Sequence, residues 1–295
     1  MRIGITGVTG LIGKSLASLC RQRGHTVIGF SRSPHQTLPD CESVRLLTFS
    51  GPVDLNNLDA VIHLAGESVI GLWTREKRRR IVTSRRDTTR HLVSSMAENK
   101  KRPAVFLCAS GTGFYGDRGA EKLDENSGHG SGFLAEVAQV WEEEAQAASE
   151  HGIRSCQLRT GMVLANAGGA FPLLRGVFSC GLGGTIGQGH QYLPWIHLDD
   201  VAALYLHALE NSSLSGPINA VAPEESTNMA FTRELGFALH RPTLFPAPAF
   251  LVTTLLGDLS AIVLDSQRAH PVRALETGFT FRYPNLTSAF TDLLK

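Results

Sequence analysis

Thr6-Gly7-Val8-Thr9-Gly10-Leu11-Ile12-Gly13 places three glycines at even spacing just behind the short apolar run Ile3-Gly4-Ile5 and just ahead of a helical pattern over residues 11–23. A strand that turns through glycine into a helix has a specific use. Gly7 permits the tight turn, Gly10 lets the backbone come close to a pyrophosphate, and Gly13 lets helix and strand pack tightly. The free N–H groups that open the helix then face the phosphates. A glycine triplet alone says little, but in the first strand–helix unit of an alternating chain it points to a bound dinucleotide. The plain alternative is a turn whose glycines serve only the chain. A rival sits in the same residues: Gly13-Lys14-Ser15 ends like a nucleoside-triphosphate loop. That loop needs glycine at position 8, where Val8 stands, and a strand-borne aspartate for magnesium, which is not evident. Lys14 is more simply a solvent-facing helix residue.

Outward from this turn the chain alternates. Short apolar runs at about 2–6, 26–31, 44–48, 59–64, 104–109 and 154–159 suit buried parallel strands. Helical patterns lie near 11–23, 75–98 and 132–151. In the last of these Phe133, Leu134, Val137, Val140 and Trp141 face inward, and Glu136, Glu142, Glu143 and Glu144 are polar. Such alternation predicts an α/β chain built on a Rossmann-like, doubly wound parallel sheet. After Arg159 the texture changes to a glycine-rich, charge-poor stretch at 161–194, the kind of loop region where ligand contacts often sit. A helix is expected from Asp199 to Leu209, its two leading acids suiting the positive end of the helix dipole. Prolines 242, 246, 248, 271 and 284 break up the remainder. The expected division is a nucleotide-binding unit at 1–165, completed by about 196–222, and a smaller, loop-rich substrate lobe at 166–195 and 223–295.

The end of the second strand chooses between nicotinamide cofactors. NAD sites carry an Asp or Glu there, roughly 20 residues past the turn, bonded to the ribose 2′-hydroxyl. Here the strand ends Gly29-Phe30-Ser31-Arg32-Ser33. No acid repels a 2′-phosphate, Arg32 offers several donors with a permanent charge, and Ser31 adds a hydroxyl. The reading is NADP(H) in preference to NAD(H); the bland alternative leaves Arg32 a solvated loop residue.

Bulk properties narrow the class. Of 295 residues, 28 are Lys or Arg and 27 are Asp or Glu, a formal charge of +1 that asks for neither nucleic acid nor an anionic membrane. No apolar run reaches the roughly 18 residues of a membrane span, and the glycine-broken start resembles no secretory signal, so a cytoplasmic location is expected. Cys20, Cys41, Cys108, Cys156 and Cys180 are scattered and odd in number, which suggests mostly buried thiols rather than a disulfide framework. The basic run Arg75, Lys77, Arg78, Arg79, Arg80, Arg85, Arg86 lacks a stacking surface beyond Trp73 and reads as a solvated helix face. His197 with Asp199 and Asp200 reads as a helix cap with a buried hydrogen bond; no cluster suggests a metal.

Several further motifs occur in order: His63-Leu64-Ala65-Gly66, Phe114-Tyr115-Gly116, Arg159-Thr160-Gly161-Met162-Val163-Leu164 and Pro194-Trp195-Ile196-His197-Leu198-Asp199-Asp200. With the opening turn, they make the chain resemble the extended short-chain dehydrogenase/reductase superfamily over its whole length. Leu64-Ala65-Gly66-Glu67, Ser84-Arg85 before Thr88-Thr89, Phe133-Leu134-Ala135-Glu136 before Trp141-Glu142, Gly187-Gln188-Gly189-His190 and Gly278-Phe279 are more narrowly similar to the atypical epimerase-family branch called family 39U. The resemblance implies NADP across the strand ends. The implied contacts come from Gly7, Thr9, Gly10, Leu11, Ile12 and Gly13 of the turn, from Ser31 and Arg32, from Leu64, Ala65 and Gly66, and from Ala109 and Met162. Arg85 stands where many extended members carry asparagine. One helical turn before Thr89, it either points at the cofactor and binds phosphate or pairs with an acid on the helix surface.

The resemblance also exposes a loss. The usual reductase site has a tyrosine acid/base and a lysine four residues later; here those places hold Phe133 and Val137. The usual Ser or Thr position holds Gly111, flanked by Ser110 and Thr112. Phenylalanine has no proton to give, so that mechanism is closed. The substitute candidates are Tyr115, Glu67 and His190, each with an ordinary reading beside it: a packing tyrosine with a satisfied hydroxyl, a helix-capping acid, an exposed loop histidine. Two functions follow, an oxidoreductase or epimerase with a different site acting on a small molecule in the second lobe, or a protein that holds NADPH without turnover as a redox sensor or scaffold. A protein partner or a homodimer stays open.

Overall fold

The computed structural model describes residues 1–32, 38–47 and 51–295. Seven strands, β1 (Arg2–Thr6), β2 (Thr26–Ser31), β3 (Ser43–Leu46), β4 (Ala60–His63), β5 (Val105–Gly111), β6 (Arg154–Thr160) and β7 (Gly216–Ala220), form one sheet in the order β7-β6-β5-β4-β1-β2-β3. Every pairing in it is parallel. The chain winds outward from β1 in one direction and from β4 in the other, so the order reverses between them, and ligands of open α/β sheets bind at that reversal beyond the strands' carboxyl ends. The glycine turn leaves β1 at this point. The third strand is shorter than its sequence pattern, and Thr48 and Ser33 lie outside the described residues. β7 escaped the pattern reading because it is five residues long and carries Pro217, which a sheet tolerates at its edge.

Helices cover both faces, as the alternation implied. α1 (Leu11–Gln22) lies on one face beside α5 (Leu198–Glu210), α4 (Phe171–Ser179) falling between them in sequence; α2 (Arg75–Glu98) and α3 (Phe133–Gln146) lie on the other. Because successive strand side chains alternate, Ile62 and Leu107 join the α1–α5 layer with Leu16 and Tyr205, whereas Val61 and Phe106 join the α2–α3 layer with Met96 and Trp141. The helix expected over 132–151 ends its α-helical part at Gln146 and finishes as a 3₁₀ turn, Ala147–His151, stopped by Gly152 at φ +75°.

A third core gathers Phe171 and Phe178 of α4, Phe231 and Leu235 of α6 (Asn228–Ala238), Trp195, Tyr283, and Phe290 of the last helix, Leu286–Leu293. It is tied to the sheet at the start of α5. His197 Nδ1 accepts from the Asp199 N–H at 3.1 Å, capping the helix, and the buried Asp200 carboxylate accepts from the Arg282 and Tyr283 N–H groups at 2.8 and 2.9 Å. These are the cap and the buried bond that the sequence suggested. No helix among the described residues is long and apolar enough to cross a membrane. All five cysteines are unpaired, and three are buried.

Candidate functional site

The three glycines of the opening turn differ in what they serve. Gly7 has φ +69°, and a Cβ on it would lie 2.8 Å from the Leu64 carbonyl carbon. A Cβ on Gly13 would stand 2.3 Å from Gly7 O and 2.8 Å from Val8 Cα, so helix and turn could not meet. Gly10, at φ −77°, would place its Cβ near only one atom, Gly7 O at 3.1 Å. Protein packing accounts for Gly7 and Gly13; Gly10 is exposed, and one backbone oxygen is all that crowds a Cβ there. It is the N-terminal cap of α1 and has no side chain, so the first N–H groups of the helix point out with no side-chain partner. That is a cradle suited to a phosphate oxygen.

Thr6 closes the floor of the site. Its Oγ1 accepts from the Leu64 and Ala65 N–H groups at 3.2 and 3.3 Å and is hydrogen-bonded to His63 Nδ1 at 2.6 Å. The loop after β4 is thereby fastened to the end of β1. His63 is fully buried, and burial with the nearby Arg85 charge holds its pKa down at about 3, so it stays neutral.

Above this floor opens a cleft of about 1070 Å³, enough for a dinucleotide. Gly7, Thr9, Ser31, Arg32, Leu64, Ala65 and Gly66 line it, joined by Phe30 and Leu47. β2 itself ends without an acid, in Ser31 and then Arg32. The opposite wall is one face of α2, from Arg80 to Ser94. Of the other expected contacts, Gly10, Leu11, Ile12 and Gly13 frame the helix start, but Ala109 and Met162 are not among the cleft's lining residues. Met162 opens a short strand, Met162–Leu164, paired with Trp195–His197.

Arg85 does not face the cleft, contrary to the reading that gave it a phosphate. Its guanidinium lies beneath the loop, 4.7 Å from the Trp141 ring centre, and Nη1 donates to the Glu67 and Ile81 carbonyls at 3.0 and 3.1 Å. A Cβ on Gly66 would touch it at 3.3 Å. Burial lowers its pKa to about 10, which leaves it charged. Arg85 props the loop that lines the cleft.

The proton-donor candidates separate in the same way. Tyr115 is a core residue: its hydroxyl donates to Asn219 Oδ1 at 2.7 Å, lies 2.9 Å from the Asp124 carbonyl and accepts from Arg159 Nη1 at 3.0 Å. Burial pushes its pKa up to about 12. Catalysis by Tyr115 is therefore withdrawn. Glu67 does line the cleft, but the Lys77 ammonium bonded to it at 2.7 Å, with Arg80 and Arg32 nearby, holds its carboxyl below the usual range. It is a fixed anion with no proton to give. His190 is exposed in its glycine-rich loop. Phe133, at the tyrosine's place, packs edge-on against Trp73 at 5.0 Å under the Arg78 guanidinium, and Val137, at the lysine's place, is buried.

Sequence reading missed the strongest buried pair. Arg159 on β6 forms a two-pronged ion pair with Glu142 on α3 at 2.9 and 2.8 Å, and Ser110 Oγ donates to the same carboxylate at 2.6 Å. Glu142 looked like one more outward acid of α3, because it sits on the edge of the apolar stripe. The Ser110 hydroxyl is thus held by Glu142, Thr112 is buried, and neither stands free at the strand end. The basic run on α2 is paired as a solvated face: Arg79 with Glu76, Arg86 with Asp87, Arg78 with Asp258.

Comparison with known families agrees with this architecture. The model of the NAD dependent epimerase/dehydratase family matches residues 3–221. The chain belongs to that family. A second model, a domain of unknown function designated DUF1731, matches residues 247–293 of this epimerase-family chain. Relatives include the epimerase family protein YfhF of Bacillus subtilis, 34% identical over all of this chain and 98% of its own length. The cattle epimerase family protein SDR39U1 is 35% identical, with both chains fully covered. The crystal structure of human epimerase family protein SDR39U1 with NADPH superposes with a TM-score of 0.91 at 32% identity, covering 99% of each chain. These matches place the chain in the 39U branch of the epimerase family, as its motifs indicated.

Proposed function

We propose that this epimerase-family chain binds NADP(H) across the carboxyl ends of its sheet, in preference to NAD(H), and is an oxidoreductase or epimerase whose site does without the Tyr–Lys pair. The observation that carries the reading is Gly10: an exposed glycine at a helix start whose N–H groups have no side-chain partner, next to a cleft lined by Gly7, Thr9 and Arg32, at a strand end that carries no acid of its own. The human relative crystallised with NADPH supports it. In this arrangement the amides of α1 hold the pyrophosphate. Thr6 and Arg85 keep the Leu64–Gly66 loop in place, and Ser31 and Arg32 take the 2′-phosphate. A bound nicotinamide supplies hydride transfer. We assign the nucleotide unit to 1–165 with about 196–222, the substrate lobe to 166–195 and 223–295, and the protein to the cytoplasm, in keeping with five unpaired cysteines.

One observation favours a second reading, NADPH held without turnover by a sensor or scaffold. Tyr115 is saturated, Glu67 is locked to Lys77, and Phe133 and Val137 offer no proton. Fluorescence titration with NADPH and NADH tests binding. Arg32→Ala should weaken NADPH far more than NADH; equal losses remove Arg32 from the 2′-phosphate, and a wild-type chain that ignores both nucleotides at millimolar concentration sinks the proposal. A carbonyl-substrate screen for oxidation of bound NADPH then separates enzyme from sensor.

A further inference from the structure

The cleft has two cationic walls, and only one belongs to the strand end where NADP specificity is read. The α2 wall is a single helical face: Arg80, Thr83, Ser84, Asp87, Thr88, His91 and Ser94 follow the three-and-four spacing that brings side chains into one row. Three arginines line the cleft, Arg32, Arg80 and Arg90. Arg90 is bound to Glu144 by two prongs. Arg32 and Arg80 make no side-chain hydrogen bond among the described residues.

Glu67 lines the same cleft and feels the charge of both. The nearest Arg80 nitrogen is 3.8 Å from its carboxylate, too long for a hydrogen bond. That carboxylate is already met by Lys77 at 2.7 Å. Both guanidiniums help to hold the Glu67 carboxyl ionised, so the fields of Arg32 and Arg80 overlap at one point of the cleft. The acid on the same helix face, Asp87, is two turns further along, about 10 Å, and pairs with Arg86. Arg80 is 54% exposed, so it has the freedom to turn from Glu67 toward an arriving anion.

We propose that Arg80 is the second cation of the 2′-phosphate site, closing on the phosphate from α2 while Arg32 holds it from β2. The proposal rests on the NADP(H) reading above. A dianionic phosphate between two guanidiniums with unused donors gains charge-assisted hydrogen bonds from both walls, and a 2′-hydroxyl gains little from either. Arg80 is thus a specificity-determining residue for the cofactor, contributed by the helix rather than by the strand-end position.

The test is fluorescence titration of wild type, Arg80→Gln and Arg80→Lys with NADPH and NADH at low and high salt, with 2′,5′-ADP and 5′-AMP as competing fragments. Arg80→Gln should weaken NADPH and 2′,5′-ADP about five- to tenfold and leave NADH and 5′-AMP within about twofold. Arg80→Lys should restore most of the difference, and salt should shrink it. If Arg80→Gln lowers NADPH and NADH equally, or changes neither, the proposal is overturned while the Arg32 reading stands. If the wild type binds the two nucleotides equally, the NADP(H) preference falls first. Because Arg80 is exposed, loss of folding does not confound the comparison.

Discussion

Gly10 and Gly13 stand three residues apart, and replacing each with alanine separates a glycine required by packing from one required by a ligand. At Gly13 the new methyl group would lie 2.3 Å from Gly7 O and 2.8 Å from Val8 Cα, both backbone atoms that cannot rotate away. Turn and helix must part, and overpacking of this kind costs about 3 kcal/mol. For a chain of this size that is a fall in Tm of roughly 5 °C. At Gly10 the backbone is extended at φ −77°, ψ 174°, open to any residue, and the methyl group meets one atom at 3.1 Å. The entropy gained by leaving glycine, about 0.4–1 kcal/mol, offsets that contact and a slightly poorer cap, so stability should stay within about 0.5 kcal/mol. The same methyl group occupies the space a pyrophosphate approaches, and NADPH affinity should fall about ten- to a hundredfold. Denaturant unfolding and NADPH fluorescence titration on both variants read the two effects. The reasoning fails if Gly10→Ala unfolds as easily as Gly13→Ala, or if it keeps wild-type affinity for the nucleotide.

Three further outcomes follow from the core around the site. Tyr115→Phe should lose about 1–3 kcal/mol in urea unfolding, because Asn219 and Arg159 are left short of a partner, while NADPH titrates as in wild type; a changed affinity would return Tyr115 to the site. Glu142→Ala leaves Arg159 charged and buried, and should cost about 3–5 kcal/mol; the double variant Glu142→Leu/Arg159→Met should recover much of it, and a harmless single variant would mean the pair is solvated. His63 has a folded pKa of about 3, below its unfolded value of 6.5, so between those limits the unfolded chain binds the extra proton. Stability from this group is full above about pH 6.5 and is lost as pH falls toward 3, by at most about 1.4 kcal/mol per pH unit. His63→Gln should flatten that part of the profile, and equal slopes in urea midpoints between pH 4 and 6 would contradict the burial.

Local spacing along the chain determined a good deal of this protein. The turn at Gly7, Gly10 and Gly13, the buried strands with their alternating helices, and the want of a tyrosine and a lysine at Phe133 and Val137 are all properties of neighbouring residues, and backbone geometry converts each directly into structure. Folding alone decided what the isolated polar side chains do. Tyr115 is silenced by Asn219, 104 residues away, Arg85 turns under the Glu67 loop 18 residues before it, and Glu142 is claimed by Arg159 on the strand packed beneath α3, 17 residues on. Those partners were not legible because a hydrogen bond or an ion pair depends on atoms that meet only when distant segments pack, and no periodicity along the chain records that meeting.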